Sequence, residues 1–420
     1  MKREAIILDA RAQWRLYVLN HILAGEISAA EAASQLRLSI RSVRRLLARY
    51  GVRDGVASLV HGNVGRPPVN RLDRATRDRL VELALTTYAG VNRAHLADLL
   101  AEREGIVVSA RSVRRILGEA GLPAVRTRRP RGHRSRRERM SQAGLLVQVD
   151  GSRHDWLEGR GPWLTLVGGI DDATGVVTGA IFREQEDAAG YLEVLTQTAL
   201  GHGLPVGLYS DRHGIFWKGR QTVPTLAEQF AGRRSTTQFG RALEAAGIAW
   251  VAARSPQAKG RVERLWGTLQ DRLTSELRLA GAASLEEANR LLAGYLPRHN
   301  ERFAVPAREA EVAWRPLDRP AETLFCFRHA RRLAGDGTLT LEGRSLMVVG
   351  RRSGRPGSRS VIVQHRLDGS LWVELDGVFL PLTAAPERPI VLRAAPTPSR
   401  APLPPPQDHP WRRYPAVRPR

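Results

Sequence analysis

Two stretches in the first third of the chain repeat one pattern of apolar and charged positions. Residues 39–47 read SIRSVRRLL, and residues 109–117 read SARSVRRIL. Each stretch begins with a serine, which is suited to cap a helix, and continues with apolar residues at helical spacing. A shorter helix-like segment precedes each one, at 29–36 and at 93–104. The pattern predicts two helix-turn-helix units built to one plan.

A different pattern begins at residue 145, where short apolar runs alternate with helical periodicity. Turns rich in Gly and Asp separate the first three runs. Strands are predicted at 145–150, 163–170, 176–182, 206–210 and 248–253. Helices are predicted at 186–200, near 238–246, from about 260, and from 284 to about 295. The order β-β-β-α-β-α-β-α is that of a mixed α/β domain.

After Pro316 the apolar runs become shorter and glycine turns separate them. Candidate strands lie at 338–341, 346–349, 361–363, 371–375 and 378–382. The Asp-Gly pairs that begin at 368 and 376 are hairpin signals. This segment is predicted to form a small β-barrel or sandwich. From Ala384 onward Pro and Arg dominate without periodicity, which is typical of a disordered tail.

The predicted architecture is multidomain, with all-α, α/β and all-β parts in that order. The predicted divisions are 1–60 for the first helix-turn-helix unit, 61–75 for a Gly/Pro linker, 76–125 for the second helix-turn-helix unit, 126–140 for a basic linker, 141–315 for the α/β domain, 325–383 for the small β-barrel and 384–420 for the tail.

Composition adds a strong positive charge to this picture. The chain has 65 Lys and Arg against 42 Asp and Glu, a formal net charge of +23. An excess of this size is typical of a protein that binds a polyanion. A membrane surface is the competing polyanion, but no apolar run approaches the roughly 18 residues that span a bilayer. No signal peptide is visible, and the single cysteine, Cys326, excludes an internal disulfide framework. These features favour a cytoplasmic protein that associates with DNA.

Arginines supply most of this charge, and many fall on the polar faces of the repeated helices. The residues concerned are Arg41, Arg44, Arg45, Arg111, Arg114 and Arg115. A merely solvated face is the alternative, but the duplication and the overall charge favour DNA binding. Residues 126–139 hold eight arginines and one acid, and Arg128, Arg129 and Arg131 are among them. This run is expected to follow a phosphate backbone.

Three carboxylates stand out by their positions. Asp150 and Asp211 each end an apolar run, and Glu263 lies near the start of a predicted helix. Metal-assisted phosphoryl transfer needs Mg²⁺ or Mn²⁺ on hard oxygen ligands, and two ions roughly 4 Å apart can serve the attacking and leaving oxygens. Acids at these places therefore predict a two-ion site. Four nearby acids are alternatives: Asp155, Glu158, Asp171 and Asp172.

Lys259 precedes Glu263 by four residues, so the two side chains share one side of the predicted helix. The lysine is expected either to contact a phosphate near the scissile bond or to pair with Glu263. The sequence leaves both roles open.

The segments around these acids resemble the integrase catalytic core of DDE transposases, and the whole chain resembles the ISNCY type of bacterial insertion-sequence transposase. The segments are 150–162 (DGSRHDWLEGRGP), 170–175 (IDDATG), 209–213 (YSDRH) and 255–264 (SPQAKGRVER). The resemblance covers nearly the whole chain. It implies an RNase H-like core in which Asp150, Asp211 and Glu263 form a metal-binding catalytic triad.

Two details of the resemblance concern the surroundings of the triad. Between Asp211 and Glu263 lie 51 residues. This is more than in retroviral integrases and similar to the ISNCY type, and the excess falls at 212–235. His154 and His213 match residues near the triad in such proteins. A hydrogen-bonding role and a catalytic role are both open for each histidine.

The resemblance implies an enzyme that binds the terminal inverted repeats of its element, cuts a strand there with Mg²⁺ or Mn²⁺, and joins the exposed 3′-OH to target DNA. The expected partners are double-stranded DNA and further copies of the chain, assembled on paired ends. The expected place is the bacterial cytoplasm, at the nucleoid. Two rival interpretations are a catalytically inactive DNA-binding regulator and an RNase H-like nuclease that does not join strands.

Overall fold

The computed structural model describes residues 8–51, 55–60, 71–123, 138–216, 236–252, 260–350, 358–386 and 407–409. The chain divides into two compact units between Leu83 and Ala84. The predictions for Lys259, for Arg128, Arg129 and Arg131, for most of the linkers and nearly all of the tail, and for most of 212–235 lie outside the described residues.

The first unit is helical. Its elements are α1 (Ala10–Leu23), α2 (Ala29–Leu36), α3 (Ile40–Arg49) and a short 3₁₀ turn at Gly55–Leu59. The Ser28 side chain caps α2, and the Ser39 hydroxyl caps α3 by accepting from the Ser42 N–H at 3.2 Å. Val18 of α1 packs with Ala32 and Val43, so the first helix closes the small core that α2 and α3 share.

The second copy of the repeat is also helical, and it belongs to a different compact unit from the first. Three helices precede the central sheet along the chain: α4 (Arg74–Leu85), which spans the division between the units, α5 (Arg93–Arg103) and α6 (Ala110–Glu119). Ser109 caps α6 through the Ser112 N–H at 3.1 Å, the same contact that Ser39 makes in the first copy. Val113, Ile116 and Leu117 are buried, so the predicted apolar face of α6 is confirmed.

A five-stranded sheet forms the centre of the larger unit. Its strands are β1 (Leu146–His154), β2 (Leu164–Asp171), β3 (Val177–Arg183), β4 (Gly207–Ser210) and β5 (Ala249–Ala252). Their order is β3-β2-β1-β4-β5. The first three strands pair antiparallel, whereas β4 is parallel to β1 and β5 is parallel to β4. The prediction of a mixed α/β domain is therefore confirmed.

Helices cover both faces of this sheet. They are α7 (Ala188–Gly201), α8 (Gln238–Ala246), α9 (Gly260–Leu279), α10 (Leu285–Phe303) and the short α11 (Ala321–Leu324). One apolar core joins Val147 and Val149 of β1 to α7 and α8. The other joins Leu164 and Leu166 of β2 to α9 and α10. Val147 and Val149 thus face α7 and α8, whereas Gln148 between them accepts a hydrogen bond from the Val262 N–H of α9, as the pleat of a strand requires.

Two predicted ends fall short. The helix predicted from 284 to about 295 continues to Phe303 as α10. The apolar run predicts that the strand ends at Asp150, but β1 continues for four more residues, to His154. The reason is its antiparallel partner, because β2 pairs with β1 from Asp171 opposite Val147 through to Leu164 opposite His154. Polar residues can occupy these positions because pairing with β2 satisfies the backbone there. Asp150 therefore lies within a strand, whereas Asp211 directly follows β4.

The C-terminal part is a near-closed antiparallel sheet of six strands. These are β6 (Phe327–Leu333), β7 (Thr338–Leu341), β8 (Arg344–Val348), β9 (Arg359–His365), β10 (Leu371–Leu375) and β11 (Val378–Ala384). Their order is β6-β9-β10-β11-β8-β7. Asp376 and Gly377 both have positive φ, at 53° and 81°, so the predicted Asp-Gly hairpin joins β10 to β11.

His299 of α10 predicts a pH-dependent stability. Burial, and then the charge of Arg272, lowers the pKa of His299 from 6.5 to about 4. The folded state keeps this ring neutral, whereas the unfolded chain protonates it below pH 6.5, so stability falls as the pH falls through this window. Between pH 7 and pH 5 the expected loss is about 2 kcal/mol. Urea unfolding at the two pH values measures this loss, and His299→Phe should reduce it. An equal loss in the variant would assign the dependence to other groups.

Candidate active site

Asp150 and Asp211 lie at matching positions on neighbouring parallel strands. β1 pairs with β4 from Leu146 opposite Gly207 to Gln148 opposite Tyr209. Each aspartate stands two residues beyond the last of these pairs, Asp150 within β1 and Asp211 directly after β4. The sheet therefore brings the two carboxylates to one edge, which we call the catalytic edge.

Helix α9 approaches this edge from one face of the sheet. Trp266 of α9 donates its indole N–H to Asp150 Oδ2 at 3.2 Å. Glu263 precedes Trp266 by three residues, so the two side chains are neighbours on the helix surface. Glu263 is exposed, whereas Val262, Leu265 and Trp266 are buried. The third acid is thus in the first turn of a helix that contacts the first acid directly.

A buried ion pair fixes the start of α9. The Arg261 Nε donates to Asp172 Oδ1 at 2.7 Å, and the side chains are 14% and 0% exposed. Gln148 Nε2 donates to the same oxygen at 2.6 Å, and Met140 N–H donates to Oδ2 at 2.8 Å. Asp172 therefore serves as a structural anchor with three donors, and its carboxylate faces the interior of the protein.

The other alternative acids also have local roles. Asp171 is buried and accepts hydrogen bonds from the Gly144 N–H at 2.9 Å and from Thr174, in the turn after β2. Asp155 accepts from the Gly159 N–H at 3.0 Å, which closes the loop after β1. Glu158 pairs with Arg160 and Arg278. Each of the four alternative acids therefore has a local partner in the described part of the chain.

The histidines near the acids have different surroundings. The His154 ring packs edge-on against Trp156, with ring centroids 5.4 Å apart. His213 is exposed, and its backbone N–H donates to Asp211 Oδ1 at 2.9 Å. The backbone N–H of His213 therefore orients the Asp211 carboxylate, and the imidazole ring takes no part in this bond.

A fourth carboxylate near the catalytic edge has no signal in the sequence. Glu186 accepts a hydrogen bond from the buried Tyr191 hydroxyl at 2.5 Å. Burial raises the pKa of Tyr191 well above its ordinary value, and the charge of Glu186 raises it further. The charges of Asp150 and Asp211 act in the same direction. Negative charge therefore accumulates at this edge of the sheet.

The donor chemistry at this edge suits a hard divalent cation, because carboxylate oxygens are the ligands that Mg²⁺ and Mn²⁺ prefer. Among the described residues, no group of three His, Cys, Asp or Glu side chains is close enough to hold a metal ion. A cation bound between acids would offset the repulsion of their charges.

Helix α5 contacts the same helix α9 farther along. Glu276 of α9 is buried, accepts from His95 Nε2 at 3.2 Å and pairs with Arg103 Nη2 at 2.5 Å. Burial alone raises the pKa of Glu276, but the hydrogen bond from His95 and the charge of Arg103 together lower it below its ordinary value. Arg272 adds an ion pair with Asp98 at 2.8 Å. We call these polar links between α5 and α9 the α5–α9 contact. The sequence did not predict it.

The repeated arginines are exposed in both copies. Arg41, Arg44 and Arg45 lie on the outer face of α3, and Arg111, Arg114 and Arg115 lie on that of α6. Arg115 pairs with Glu119 at 3.0 Å. The exposed faces leave these guanidinium groups accessible to a large anion.

Comparison with curated proteins decides the family. The transposase for insertion sequence IS1202 of Streptococcus pneumoniae is 32% identical over 357 residues, which are 76% of this chain and 74% of that protein. The protein y4bF of Sinorhizobium fredii, whose name also assigns it to the transposases, is 36% identical over 346 residues, 82% of this chain and 74% of its own. The chain belongs to the transposases. No family model matches it.

Two solved structures that resemble this transposase come from retroviruses. The simian T-cell lymphotropic virus intasome in complex with PP2A regulatory subunit B56 gamma matches over 73% of this chain and 98% of that one, with 16% identity and a TM-score of 0.30. The HTLV-2 integrase catalytic core domain in complex with magnesium matches over 36% and 84%, with 16% identity and a TM-score of 0.26. Both TM-scores are below 0.5, so the family assignment rests on the sequence relatives. None of the described helices is long and apolar enough to cross a membrane.

Proposed function

We propose that this transposase is a DDE enzyme of the ISNCY type, which cuts DNA at the ends of its element and joins those ends to target DNA. The observation that carries the proposal is the geometry of the catalytic edge. Asp150 and Asp211 stand at matching positions on neighbouring parallel strands, and the helix of Glu263 contacts Asp150. The strand order, with helices on both faces, supports an RNase H-like core.

Asp150, Asp211 and Glu263 are the residues that would hold Mg²⁺ or Mn²⁺, with two ions as the expected number. A cation held there would supply stabilisation of the charge that develops on the phosphate and activation of the attacking water or hydroxyl. The protein positions the carboxylates and the DNA. In cleavage, water attacks phosphorus and its proton is lost, while the P–O3′ bond breaks and frees a 3′-OH. In joining, that 3′-OH attacks a target phosphodiester, and the target 3′ oxygen leaves and takes up a proton.

Terminal inverted repeats are the proposed DNA partner of the two helix-turn-helix units, over 1–60 and 76–125. The exposed arginines of α3 and α6 support this role, because the second helix of such a unit enters the major groove. Transposition brings two element ends together, whereas one chain supplies one set of three acids. We therefore expect at least two copies on paired ends. The Arg-rich linker at 126–140 and the near-closed β domain complete the proposed domain plan.

Neutralising Arg111, Arg114 and Arg115 together, as Gln, is expected to weaken binding to element ends. Contacts to guanine edges would each contribute about 1–3 kcal/mol of discrimination. Contacts to phosphates alone would lower affinity on all sequences and reduce the salt dependence of binding. Titrations on specific and scrambled DNA at several salt concentrations distinguish the two cases. Arg290→Gln, at an exposed arginine of α10, is the control. Unchanged affinity on both DNAs would show that these helix faces are solvated and do not contact DNA.

A strand-transfer assay tests the proposed function against its rivals. The substrate is the inverted repeat that flanks the gene, supplied as a labelled duplex with a supercoiled plasmid as target. A transposase converts the label to a plasmid-joined product in Mg²⁺ or Mn²⁺. A nuclease of the RNase H type would release the cut end without joining it, and an inactive regulator would bind the ends and leave them intact.

A further inference from the structure

Three hydrogen bonds join α9 to β1 in a regular series. The Val262 N–H donates to Gln148 Oε1 at 3.4 Å, and the Trp266 indole donates to Asp150 at 3.2 Å. Gln270 Nε2 donates to Ser152 Oγ at 3.1 Å. We call this series the α9–β1 ladder. Its helix positions are four residues apart, and its strand positions are two residues apart.

The spacing of the ladder follows from the geometry of the two elements. Four helical residues rise about 6 Å, and two strand residues rise about 6.6 Å. A helix that lies along a strand therefore presents one residue per turn to every second strand residue. Sliding the helix by one residue would break all three bonds together, so the ladder fixes the register of α9 against β1.

Each hydrogen bond of the ladder is called a rung. The first rung, between Val262 and Gln148, is buried, and Gln148 has a second partner. Gln148 is fully buried within an otherwise apolar run, and its amide N–H binds Asp172 while its oxygen faces α9. The Val262 N–H belongs to the first turn of α9, where backbone donors have no partner within the helix. Gln148 therefore caps α9 from another element. The ion pair between Asp172 and Arg261 holds the same turn from the side.

Glu263 is placed by these contacts, although no rung includes its own side chain. It follows Val262 of the first rung directly and precedes Trp266 of the second by three residues. The second rung also holds the carboxylate of Asp150. One series of bonds thus sets the helix that carries the third acid and orients the first.

We propose that the α9–β1 ladder is a positioning device, in which Gln148, Trp266 and Gln270 set Glu263 against Asp150 for binding of a divalent cation. This inference rests on the proposed function. It assigns these three residues roles that act through the carboxylates, so none of them is expected to contact DNA or metal. Supporting groups of this kind typically change metal affinity about 10- to 100-fold when removed.

The test measures Mn²⁺ affinity of the full chain by electron paramagnetic resonance of free Mn²⁺, with thermal melting recorded for each variant. Gln148→Met and Trp266→Phe each remove one rung and keep most of the packing volume. Each is expected to weaken Mn²⁺ binding by about 10-fold or more. Gln185→Met and Trp163→Phe change an exposed glutamine and an exposed tryptophan of the same domain, and should leave the affinity unchanged.

A double-mutant cycle tests whether the ladder acts through Glu263. In a Glu263→Gln background, Gln148→Met should cause little further loss of Mn²⁺ affinity, because the acid it positions is already gone. Gln270→Met, at the partly exposed end of the ladder, offers the same test if Gln148→Met fails to fold. Wild-type Mn²⁺ affinity in the folded ladder variants would overturn the proposal, as would full additivity with Glu263→Gln.

Asp150→Asn and Glu263→Gln separate failure of this inference from failure of the proposed function. If these two variants lose Mn²⁺ affinity while the ladder variants keep it, the ladder has no positioning role and the proposed triad stands. If they bind Mn²⁺ as the wild type does, the proposed metal site is wrong, and the positioning role fails with it.

Discussion

Replacing Asp150, Asp211 or Glu263 by its amide is expected to abolish DNA cleavage and joining while binding to element ends persists. The amide keeps the shape of the side chain but removes the negative charge that a hard cation requires. Because bound metal contributes several kcal/mol to transition-state stabilisation, the expected loss is on the order of 10³-fold or more. DNA affinity should change little, since it depends mainly on basic residues elsewhere.

Cleavage and strand transfer on matched ends, with gel-shift titration of the same DNA, measure the two effects separately. Asp155→Asn is the matched control, because Asp155 lies just after β1 and closes a loop by accepting from the Gly159 N–H. Near-normal joining by an amide variant would remove that residue from the triad. Loss of end binding in step with loss of cleavage would point to a folding defect.

Replacing Glu276 by Ala is expected to weaken the attachment of α5 to α9. The buried carboxylate accepts from His95 and pairs with Arg103, and removing one member of a buried ionic group typically costs about 3–5 kcal/mol. Arg103 is 38% exposed and can return to water, so the lower end of this range is expected. Hydrogen exchange of the α5 amides in the native state measures the opening free energy directly. The exposed Glu286, changed to Ala, is the control.

The α5–α9 contact also has a predicted pH dependence. The pKa of Glu276 is lowered in the folded chain. Its contribution to the stability of the contact is therefore complete at pH values above its ordinary pKa of 4.5. It is lost as the pH falls through the lowered folded pKa, when the carboxylate takes up a proton. Unchanged protection of α5 in Glu276→Ala would show that the other contacts, such as the Arg272–Asp98 ion pair, hold α5 on the core without Glu276.

Local patterns predicted much of this architecture. The repeated serine caps and the helical spacing of Val113, Ile116 and Leu117 predicted α6, and the same features predicted α3. The apolar stripe of α9 was also predicted, since Val262, Leu265 and Trp266 are all buried. In each case neighbouring residues along the chain carry the information.

Features that depend on distant pairing were missed or misplaced. The end of β1 was misplaced at Asp150 because pairing with β2 extends the strand through polar residues. The anchor role of Asp172 depends on Arg261, which is 89 residues away, and the α5–α9 contact joins His95 to Glu276 across 181 residues. Gln148 did carry a signal, because a glutamine inside an apolar run needs a buried partner. The sequence does not show which partner it has.

The candidate site also depends in part on contacts between residues that are far apart in the sequence. The positions of Asp150, Asp211 and Glu263 were chosen from strand ends, a helix start and motif resemblance, and the sheet brings the two aspartates to one edge. Glu186 lies near that edge as well, but its position depends on Tyr191 and on the path of the chain before α7. Lys259 and the arginines at 128, 129 and 131 stay predictions.

Asp150 is proposed to hold the cation used in cleavage and joining, and a thiol substitution at this position tests that role directly. Thiolate is a poor ligand for Mg²⁺ and a better one for softer divalent metals. The natural chain has one cysteine, Cys326, which is buried, so an introduced thiol at Asp150 is chemically distinct. Strand transfer by Asp150→Cys is expected to be absent in Mg²⁺ and to return in Mn²⁺, whereas Asp150→Ala stays inactive in both metals. Wild-type activity of Asp150→Cys in Mg²⁺, or no activity in Mn²⁺ where the wild type is active, would contradict direct ligation by Asp150.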